Sequence, residues 1–402
     1  MRALILTNEY PPDVYGGAGV HVAELTRHLR TLVELDVRTF GGQADDAAGW
    51  RLRGYPVAHD LAGADDRLRP MLAALSRDLG MVADPVDAQV VHVHTWYTHL
   101  AGLLVRLAYG LPLVLTVHSL EPLRPWKREQ LGGGYDVSSW VERTALETAD
   151  AVVAVSQGTR ADVLRHFDVA PERIHVIHNG IDADFYHPDP ATDALERHGI
   201  DPAVPYVLFL GRITRQKGIV HLVRAIRHLD PGIGVVLCAG QPDTPEIAAE
   251  MEAGVAAARA ERSNVTWIGE MVTREEARQL YSNAAVFCCP SVYEPFGIIN
   301  LEAAACETPV VASAVGGIPE VVVDGETGLL VPVELRVDDP MSPVDADRFE
   351  RNLAGSINAL MADAATRDLM GRAARRRAVD HFSWGAIARQ TVDLYRTLVE
   401  RA

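Results

Sequence analysis

Short apolar runs alternate with amphipathic stretches along most of the chain. In the first half, the runs that predict buried strands are Ala3–Leu6, Leu35–Thr39, Val90–Val93, Leu113–Val117, Ala151–Val155 and Ile174–Ile177. Between several of these runs the apolar positions recur with helical spacing, as in Gly19–Leu29 and Trp140–Thr148. Strand, helix and strand at this spacing indicate βαβ units, which build a parallel sheet.

The alternation is interrupted at Asp184–Pro205, where four prolines occur without a strong strand pattern, and this predicts a domain linker. It then resumes, with strands predicted at Tyr206–Leu210, Val235–Ala239, Val265–Ile268, Ala285–Cys289, Val310–Ala312 and Gly328–Val331. Only helical patterns follow Asp345. We therefore predict an α/β fold of two Rossmann-like doubly wound domains, residues 1–184 and 185–382, with the ligand crevice at the carboxyl ends of their strands.

Composition narrows the class of protein. The chain has 402 residues, of which 48% are apolar and 23% charged, as in globular enzymes. The net charge of −16 disfavours nucleic acid and anionic lipid as partners. We expect no signal peptide and no membrane span, because no apolar run approaches ~18 residues. The four cysteines form no C-x-x-C pair, which favours reduced thiols in a cytoplasmic protein.

The basic residues are almost all arginine. Only two of the 38 are lysines, Lys127 and Lys217. Lys217 lies in Gly211–Gly218, directly after the first strand predicted in the second domain, together with Arg212. A guanidinium and an ammonium at the mouth of a sheet suit a diphosphate leaving group. The alternative is two solvated surface cations.

A second motif of that domain places two carboxylates around a helix start. Glu294 precedes the helix and can point at a sugar, while Glu302 lies within it and can accept hydrogen bonds from ribose hydroxyls. The first helical N–H groups can hold a diphosphate. The residues assigned to the donor site here are Gly297, Ile298, Ile299, Asn300, Leu301 and Glu302. For Glu302 alone, compensation of the helix dipole is the alternative.

The first domain offers a glycine-rich loop and a histidine. Gly16 and Gly17 follow the first strand and lead into a helix, where the backbone can approach an anion; a tight turn without a ligand is the alternative. The loop is not the G-x-G-x-x-G fingerprint, which argues against a nicotinamide enzyme. His118 ends a predicted strand, the usual place for a catalytic side chain, although a lone histidine is more often a packed one.

Three further histidines, His92, His94 and His99, resemble a metal-binding set only by their number. Strand alternation places His92 and His94 on one face, but no carboxylate or cysteine ligand accompanies them. We therefore expect no metal.

In this order, the Gly16–Gly17 loop, His118, Asn179–Gly180, the Arg212/Lys217 pair and the Glu294–Glu302 motif resemble the retaining family 4 glycosyltransferases of the GT-B fold, specifically their glycogen-synthase-like members. The resemblance spans nearly the whole chain. It implies an active site in the cleft between two domains. It also implies that a final helix, residues 383–402, crosses back onto the N-terminal domain.

The resemblance further implies an ADP-glucose donor and no cofactor or metal. Arg212 and Lys217 are then expected to neutralise the ADP leaving group, Glu302 to hold the ribose, Glu294 to bind sugar hydroxyls and His118 to lie near the anomeric carbon. The family reacts with retention of configuration. Homodimer formation is left open.

One departure concerns the acceptor. Glycogen synthases often carry His-x-His-Asp-Trp, whereas this chain reads His92-Val93-His94-Thr95-Trp96. A basic cluster, Arg124, Lys127 and Arg128, follows the His118 loop. The missing carboxylate and the added cations together suggest a sugar phosphate acceptor, with transfer to glucose 1-phosphate giving maltose 1-phosphate; an α-glucan acceptor remains open, as does a solvated surface loop. The residues assigned to the acceptor are Glu9, Tyr10, Thr95, Arg124, Lys127 and Asn179.

Other functions on the same fold stay open. Another donor could supply a mannosyl or N-acetylglucosaminyl group to an inositol or lipid acceptor. A nucleotide-sugar hydrolase or epimerase predicts turnover without an acceptor. A nucleotide-sugar sensor would bind its ligand without turnover. The presence of all the candidate catalytic residues argues against a sensor: Glu294, Glu302, Arg212, Lys217 and His118.

Overall fold

The computed structural model describes residues 1–124 and 126–401, without the side chains of Glu129 and Gln130. The chain forms two compact units. The first comprises Met1–Gly180 together with the C-terminal segment from Trp384 onward, and the second comprises Ile181–Ser383. The division thus falls after Gly180, a few residues before the boundary predicted after residue 184. Ala402, the last residue of the predicted crossing segment, lies outside the described residues.

The first unit is built on a mostly parallel sheet. Within the described residues its strands are β1 (Arg2–Leu6), β2 (Glu34–Phe40), β3 (Ala44–Ala47), β4 (Trp50–Tyr55), β5 (Val90–His94), β6 (Leu113–Val117), β7 (Ala151–Ala154) and β8 (Ile174–Val176). They lie in the order β3-β4-β2-β1-β5-β6-β7-β8. The order reverses direction between β1 and β5, so the crevice of this sheet opens where these two strands end.

Helices cover both faces of this sheet. They are α1 (Gly17–Leu29), α2 (Arg69–Ala83), α3 (His99–Tyr109), α4 (Lys127–Leu131), α5 (Gly133–Thr148), α6 (Gln157–His166) and, from the end of the chain, α15 (Trp384–Val399). Helix α15 packs on α1 and buries Ile387, Val392 and Tyr395. The predicted return of the last helix to the N-terminal unit is therefore confirmed.

The antiparallel pair β3–β4 was not predicted. β3 is fully exposed and reads Ala-Asp-Asp-Ala, and β4 reads Trp-Arg-Leu-Arg-Gly-Tyr, in which Trp50 and Tyr55 are buried and both arginines are exposed. β3 is the edge strand and β4 pairs with both β3 and β2, but the charged residues of these two strands interrupt the apolar run that marks a buried strand.

The second unit repeats the architecture. Its strands are β9 (Tyr206–Arg212), β10 (Gly234–Gly240), β11 (Val265–Ile268), β12 (Val286–Cys289), β13 (Val310–Ser313) and β14 (Gly328–Val331). All described pairings are parallel, in the order β11-β10-β9-β12-β13-β14. The direction reverses between β9 and β12, so the loops after these strands flank the crevice.

The helices of the second unit are α7 (Asp193–Arg197), α8 (Ile219–Ala225), α9 (Pro245–Glu261), α10 (Arg274–Asn283), α11 (Ile298–Ala305), α12 (Ile318–Val321), α13 (Ala346–Ala362) and α14 (Ala364–His381). Their apolar faces close a core with the strands, in which Phe209, Leu237 and Leu353 are almost fully buried. The fold class predicted from the sequence is confirmed: two Rossmann-like α/β units.

All four cysteines are buried and free. Across the described part of the chain, none of the helices combines the length and the apolar character that crossing a membrane requires.

Candidate active site

The two charged motifs of the second unit lie on loops that flank its crevice. Arg212 is the last residue of β9 and Lys217 lies in the loop that follows, while the loop with Glu294 follows β12, the neighbour of β9 in the sheet. Because parallel strands end at the same edge, the two loops meet there. The two motifs are far apart in the sequence, but they meet because β9 and β12 are adjacent in the sheet.

The backbone locks these loops to each other. The N–H of Val292 donates to the Gln216 carbonyl at 2.9 Å. Gly218 has φ +62°, and a Cβ at this position would lie 2.0 Å from the Pro290 carbonyl oxygen. A glycine is therefore required at residue 218, both for the backbone conformation and for the close approach.

Lys217 and Glu294 form an ion pair. Lys217 Nζ lies 2.6 Å from Glu294 Oε2, and Ser291 donates its hydroxyl to the same oxygen at 3.2 Å. Burial opposes the charge on Lys217, but the Glu294 carboxylate outweighs it, so the pKa of Lys217 is raised above its ordinary value. Lys217 is therefore a permanent cation held at the end of the sheet.

Arg212 lies at the end of β9 and is about three-quarters buried. Its NH1 donates to Asp243 Oδ1 at 3.0 Å. Its charge acts on Lys217 in the direction that lowers the pKa of the lysine. Two cations held close against their mutual repulsion suit a polyanionic ligand that neutralises both.

Helix α11 begins beside this pair. Gly297 precedes its first residue with φ +92°, and among the described residues no side chain caps the helix start. The Asn300 N–H bonds to the Gly297 carbonyl at 3.0 Å. Ile298 and Ile299 are half-buried, whereas Asn300 and Leu301 are buried. The helix start thus offers partial positive charge next to Lys217 and Glu294.

Glu302, one turn into α11, has a different set of partners. The Tyr281 hydroxyl donates to Glu302 Oε2 at 2.9 Å. Burial raises the pKa of Glu302, opposed by hydrogen bonds from Tyr281 and Tyr186 and by the charge of Arg274. Lys217 thus forms an ion pair with Glu294, whereas Glu302 is hydrogen-bonded to Tyr281 and Tyr186.

In the first unit, backbone N–H groups of the glycine-rich loop bind the carboxylate of Glu9. Glu9 Oε2 accepts the N–H groups of Tyr15 at 2.8 Å and Gly16 at 2.9 Å. Gly19 lets this carboxylate come close, since a Cβ there would lie 2.7 Å from it. Glu9 thus bonds to the loop that contains Gly16 and Gly17, and the donor and acceptor roles of these three residues stay predictions.

Thr95 follows β5 at the edge of the crevice in the first unit. Its φ is +64°, a conformation that strains a β-branched residue, and its hydroxyl donates to Asn8 Oδ1 at 2.7 Å. Backbone strain of this kind is concentrated at functional sites. The acceptor role of Thr95 stays a prediction.

His118 is partly buried and packs in a cluster with two buried histidines, His21 and His94. His118 Nε2 lies 3.1 Å from His94 Nδ1, and the His21 ring packs edge-on against His118 with 4.7 Å between centroids. Burial lowers the pKa of His118 and of His94 well below the ordinary value, so these imidazoles are neutral near pH 7. Asn179 accepts from His21 Nδ1 at 2.7 Å and therefore also belongs to this cluster.

Two residues assigned to the acceptor have internal partners. The Tyr10 hydroxyl bonds to Thr26 Oγ1 at 2.9 Å inside the core. Lys127 Nζ lies 3.0 Å from Glu121 Oε1, with both side chains buried. Arg124 is more available: its NH1 donates to Ser119 Oγ at 3.3 Å, and its buried Nε has no hydrogen-bond partner among the described residues. Lys127 thus already has a buried anionic partner, whereas Arg124 keeps an unpaired donor, and the acceptor roles of Tyr10, Lys127 and Arg124 stay predictions.

Sequence reasoning missed His21, Asp243 and Tyr281. His21 lies on α1, four residues after Gly17, and faces the end of the sheet. Its helical position next to the glycine-rich loop is a signal that could have identified it. The contacts of Asp243 and Tyr281 join residues that are distant in sequence, so no local pattern indicates them.

Two family models match the chain. Residues 15–185 match the model described as Glycosyltransferase Family 4, and residues 191–340 match the model for glycosyl transferases group 1. The chain is also 52% identical to an alpha-maltose-1-phosphate synthase of Mycolicibacterium smegmatis, over 98% of this chain and 99% of the relative. It is 32% identical to a D-inositol 3-phosphate glycosyltransferase of Corynebacterium aurimucosum, over 94% and 90%.

Among solved structures, sucrose-phosphate synthase from Thermosynechococcus elongatus superposes with a TM-score of 0.80 and 26% identity, covering all of both chains. The two Rossmann-like units and their charged loops thus define a glycosyltransferase of the GT-B fold, and the enzyme is a hexosyltransferase. The chain belongs to glycosyltransferase family 4.

Proposed function

We propose that the enzyme is a retaining α-1,4-glucosyltransferase that moves glucose from ADP-glucose to glucose 1-phosphate, forming maltose 1-phosphate. The observation that carries this proposal is the Lys217–Glu294 pair, 2.6 Å apart, beside Arg212 and the start of α11. The 52% identity to an alpha-maltose-1-phosphate synthase supports the choice of maltose 1-phosphate as the product. Extension of an α-glucan, as in glycogen synthesis, is the second acceptor reaction to test.

In the proposed reaction, the bond between C1 of the glucose and the diphosphate oxygen of ADP breaks. The acceptor O4 forms the new bond to C1 on the same face, and its proton passes to the departing diphosphate. Lys217, Arg212 and the α11 N–H groups stabilise the negative charge that develops on ADP. These groups take the place of a divalent metal in the transition state.

The remaining side chains position the substrates. Glu294 binds hydroxyls of the transferred glucose, and Glu302 binds the ribose next to its Tyr281 partner. His118 contacts the same glucose as a neutral hydrogen-bonding group. Arg124 binds the phosphate of the acceptor, an assignment supported by its unpaired buried Nε and by the Thr95 that replaces a carboxylate. The four free cysteines fit a reducing, cytoplasmic location.

A donor and acceptor screen tests the proposal. Purified enzyme is given ADP-, UDP- or GDP-glucose, each alone, with glucose 1-phosphate or with glycogen, and nucleotide release is followed. We expect release to be fastest with ADP-glucose and to require glucose 1-phosphate. Release without an acceptor would indicate a hydrolase. Activity only with another sugar nucleotide and an inositol phosphate would instead indicate a function like that of the 32% identical relative.

Arg124→Gln separates the two acceptors. This variant is expected to raise the KM for glucose 1-phosphate at least about tenfold, because a charge-assisted hydrogen bond to phosphate is lost, and to leave the KM for ADP-glucose unchanged. Arg128→Gln is the matched control, since Arg128 lies in the same segment and pairs with the exposed Asp136. An unchanged KM for glucose 1-phosphate in Arg124→Gln would remove Arg124 from the acceptor site.

A further inference from the structure

The first unit brings three histidines together at the carboxyl end of its sheet. His21 lies on α1, His94 ends β5, and His118 follows β6, the strand that pairs with β5. One nitrogen atom from each ring lies within 4.8 Å of the others. The three residues are separated by more than twenty positions along the chain, so their convergence is a product of the fold.

The hydrogen bonds of the cluster leave ligand atoms available. Because Asn179 Oδ1 accepts the proton of His21 Nδ1, the lone pair of the neutral His21 ring is on Nε2. This Nε2 is buried and has no hydrogen-bond partner among the described residues. An amide oxygen that fixes the tautomer of a histidine is the usual outer partner of a metal ligand.

Burial also keeps the rings in the ligand form. It lowers the pKa of His21 to about 4, and it lowers the pKa of His94 and His118 well below the ordinary value. The rings are therefore neutral near pH 7, and binding of a metal ion by His94 Nδ1 and His118 Nε2 requires the proton between these two atoms to move to the other nitrogen of its ring. His92, by contrast, bonds on both sides, to Tyr395 and to Thr116, and lies outside the set.

We propose that His21, His94 and His118 form a binding site for a divalent transition metal of the zinc class, with three imidazole ligands and an open fourth position. Three nitrogen donors without a carboxylate suit Zn²⁺ or Co²⁺ and not Mg²⁺ or Ca²⁺. Tetrahedral zinc with bonds of about 2.0–2.1 Å requires nitrogens about 3.3 Å apart. His94 Nδ1 and His118 Nε2 already meet this spacing at 3.1 Å, and one nitrogen of each of the three rings lies within 4.8 Å of the others.

Occupation of this site inhibits transfer. This consequence rests on the proposed function, because His118 is the residue expected to contact the transferred glucose. A metal ion bound to His118 fixes the ring on the ion and removes it from the sugar. The enzyme then works without a metal and is switched off by zinc.

The binding test uses the full chain after treatment with EDTA and no substrate. Co²⁺ is titrated and the visible absorption of tetrahedral cobalt is followed, while calorimetry measures Zn²⁺ binding. We expect one ion per chain, and we expect His21→Gln and His94→Gln each to weaken binding roughly tenfold or more. His28→Gln, a histidine of the same helix whose Nδ1 bonds to the Glu24 carbonyl, is the matched control and should bind as the wild type does.

Circular dichroism shows whether each variant is folded. The proposal is overturned if the folded wild type gives no tetrahedral cobalt band, or if the His21 and His94 variants bind Zn²⁺ as tightly as the His28 control. A second readout is inhibition: micromolar Zn²⁺ should stop nucleotide release by the wild type and by His28→Gln, and EDTA should restore it. Because metal binding is measured without substrate, failure of the ADP-glucose proposal leaves the binding result intact.

Discussion

At the scale of single residues, the candidate chemistry depends on Lys217. It is one of two lysines in the chain, and its charge is held in a largely buried position by Glu294 at 2.6 Å. In the proposed reaction the diphosphate of the donor competes with Glu294 for this ammonium, and the charge of Arg212, which acts on Lys217, favours the diphosphate. The ion pair is therefore a prepared site, with its cation already in place before the ligand arrives.

Lys217→Ala is expected to lower kcat roughly 10²-fold or more, because it removes a cation that stabilises the leaving group in the transition state. Steady-state kinetics with ADP-glucose measure the effect. Arg215→Ala is the control, since Arg215 is an exposed cation of the same loop that lies 3.8 Å from Glu250. Equal rates in the two variants would exclude Lys217 from the diphosphate site.

A second residue-scale prediction concerns stability in the first unit. Glu142 is buried and accepts the Glu121 N–H at 2.8 Å, and burial together with the Glu121 charge raises its pKa well above the ordinary value. The protonated carboxyl is therefore favoured in the fold. Its contribution to stability is fully present below the unfolded pKa near 4.5 and is lost as the pH rises through the folded pKa.

Glu142→Gln keeps the acceptor oxygen and removes the titration. The variant should gain in melting temperature relative to the wild type as the pH rises from about 5 to about 8, with the smallest difference at the acidic end. Calorimetric scans at several pH values provide the measurement. A difference independent of pH would mean that the carboxyl is ionised in the fold throughout this range.

Sequence reasoning at this scale found residue types but not all of their partners. The Arg212, Lys217, Glu294 and Glu302 set could be identified because each residue follows a strand or starts a helix at a recognisable spacing. The partners of Glu9, Lys127 and Glu302 could not, because they depend on which side chains the tertiary structure turns inward. The basic side chain of Lys127 predicted a phosphate contact, whereas the fold gives it the buried Glu121.

At the scale of elements, the site depends on the contact between the loops after β9 and β12. Gly218 has φ +62° and lies against the Pro290 carbonyl. Gly199 offers a comparison in the same unit, because it has φ +66° and a Cβ added there would meet no other group within 4 Å. Alanine substitutions at these two glycines therefore separate the cost of the left-handed backbone conformation from the cost of a clash with the Pro290 carbonyl.

Gly199→Ala should cost about 1 kcal/mol, the penalty of a left-handed residue, and leave kcat unchanged. Gly218→Ala should lower the melting temperature at least about twice as far and reduce kcat strongly, because its Cβ forces the Lys217 loop away from the Glu294 loop. Thermal scans and kinetics on both variants measure this. Equal losses in stability and activity would show that the close approach is unimportant.

The elements themselves were largely predictable. Buried parallel strands give continuous apolar runs, so most strands of both sheets were found within a few residues. The edge strand β3 and its neighbour β4 were missed, because their charged sequences carry no such signal. The return of α15 to the first unit followed from a family resemblance and not from periodicity, since a helical pattern does not show where the helix packs.

At the scale of the whole molecule, each unit has its own task in the proposed reaction. The second unit holds the charged set for a diphosphate, and the first unit holds the histidine cluster, Thr95 and Arg124. The family is shown by similarity along the full chain, whereas the donor and acceptor are proposals that rest on a few side chains. The acceptor was the hardest feature to predict, because sugar hydroxyls and phosphate are recognised by contacts and not by a motif.

The most direct test of the central claim is NMR analysis of the product made from ADP-glucose and glucose 1-phosphate. We predict one equivalent of maltose 1-phosphate for each ADP released, with an α-1,4 linkage and the α configuration of the donor retained. A β linkage, or release of free glucose in place of the disaccharide phosphate, would contradict this claim.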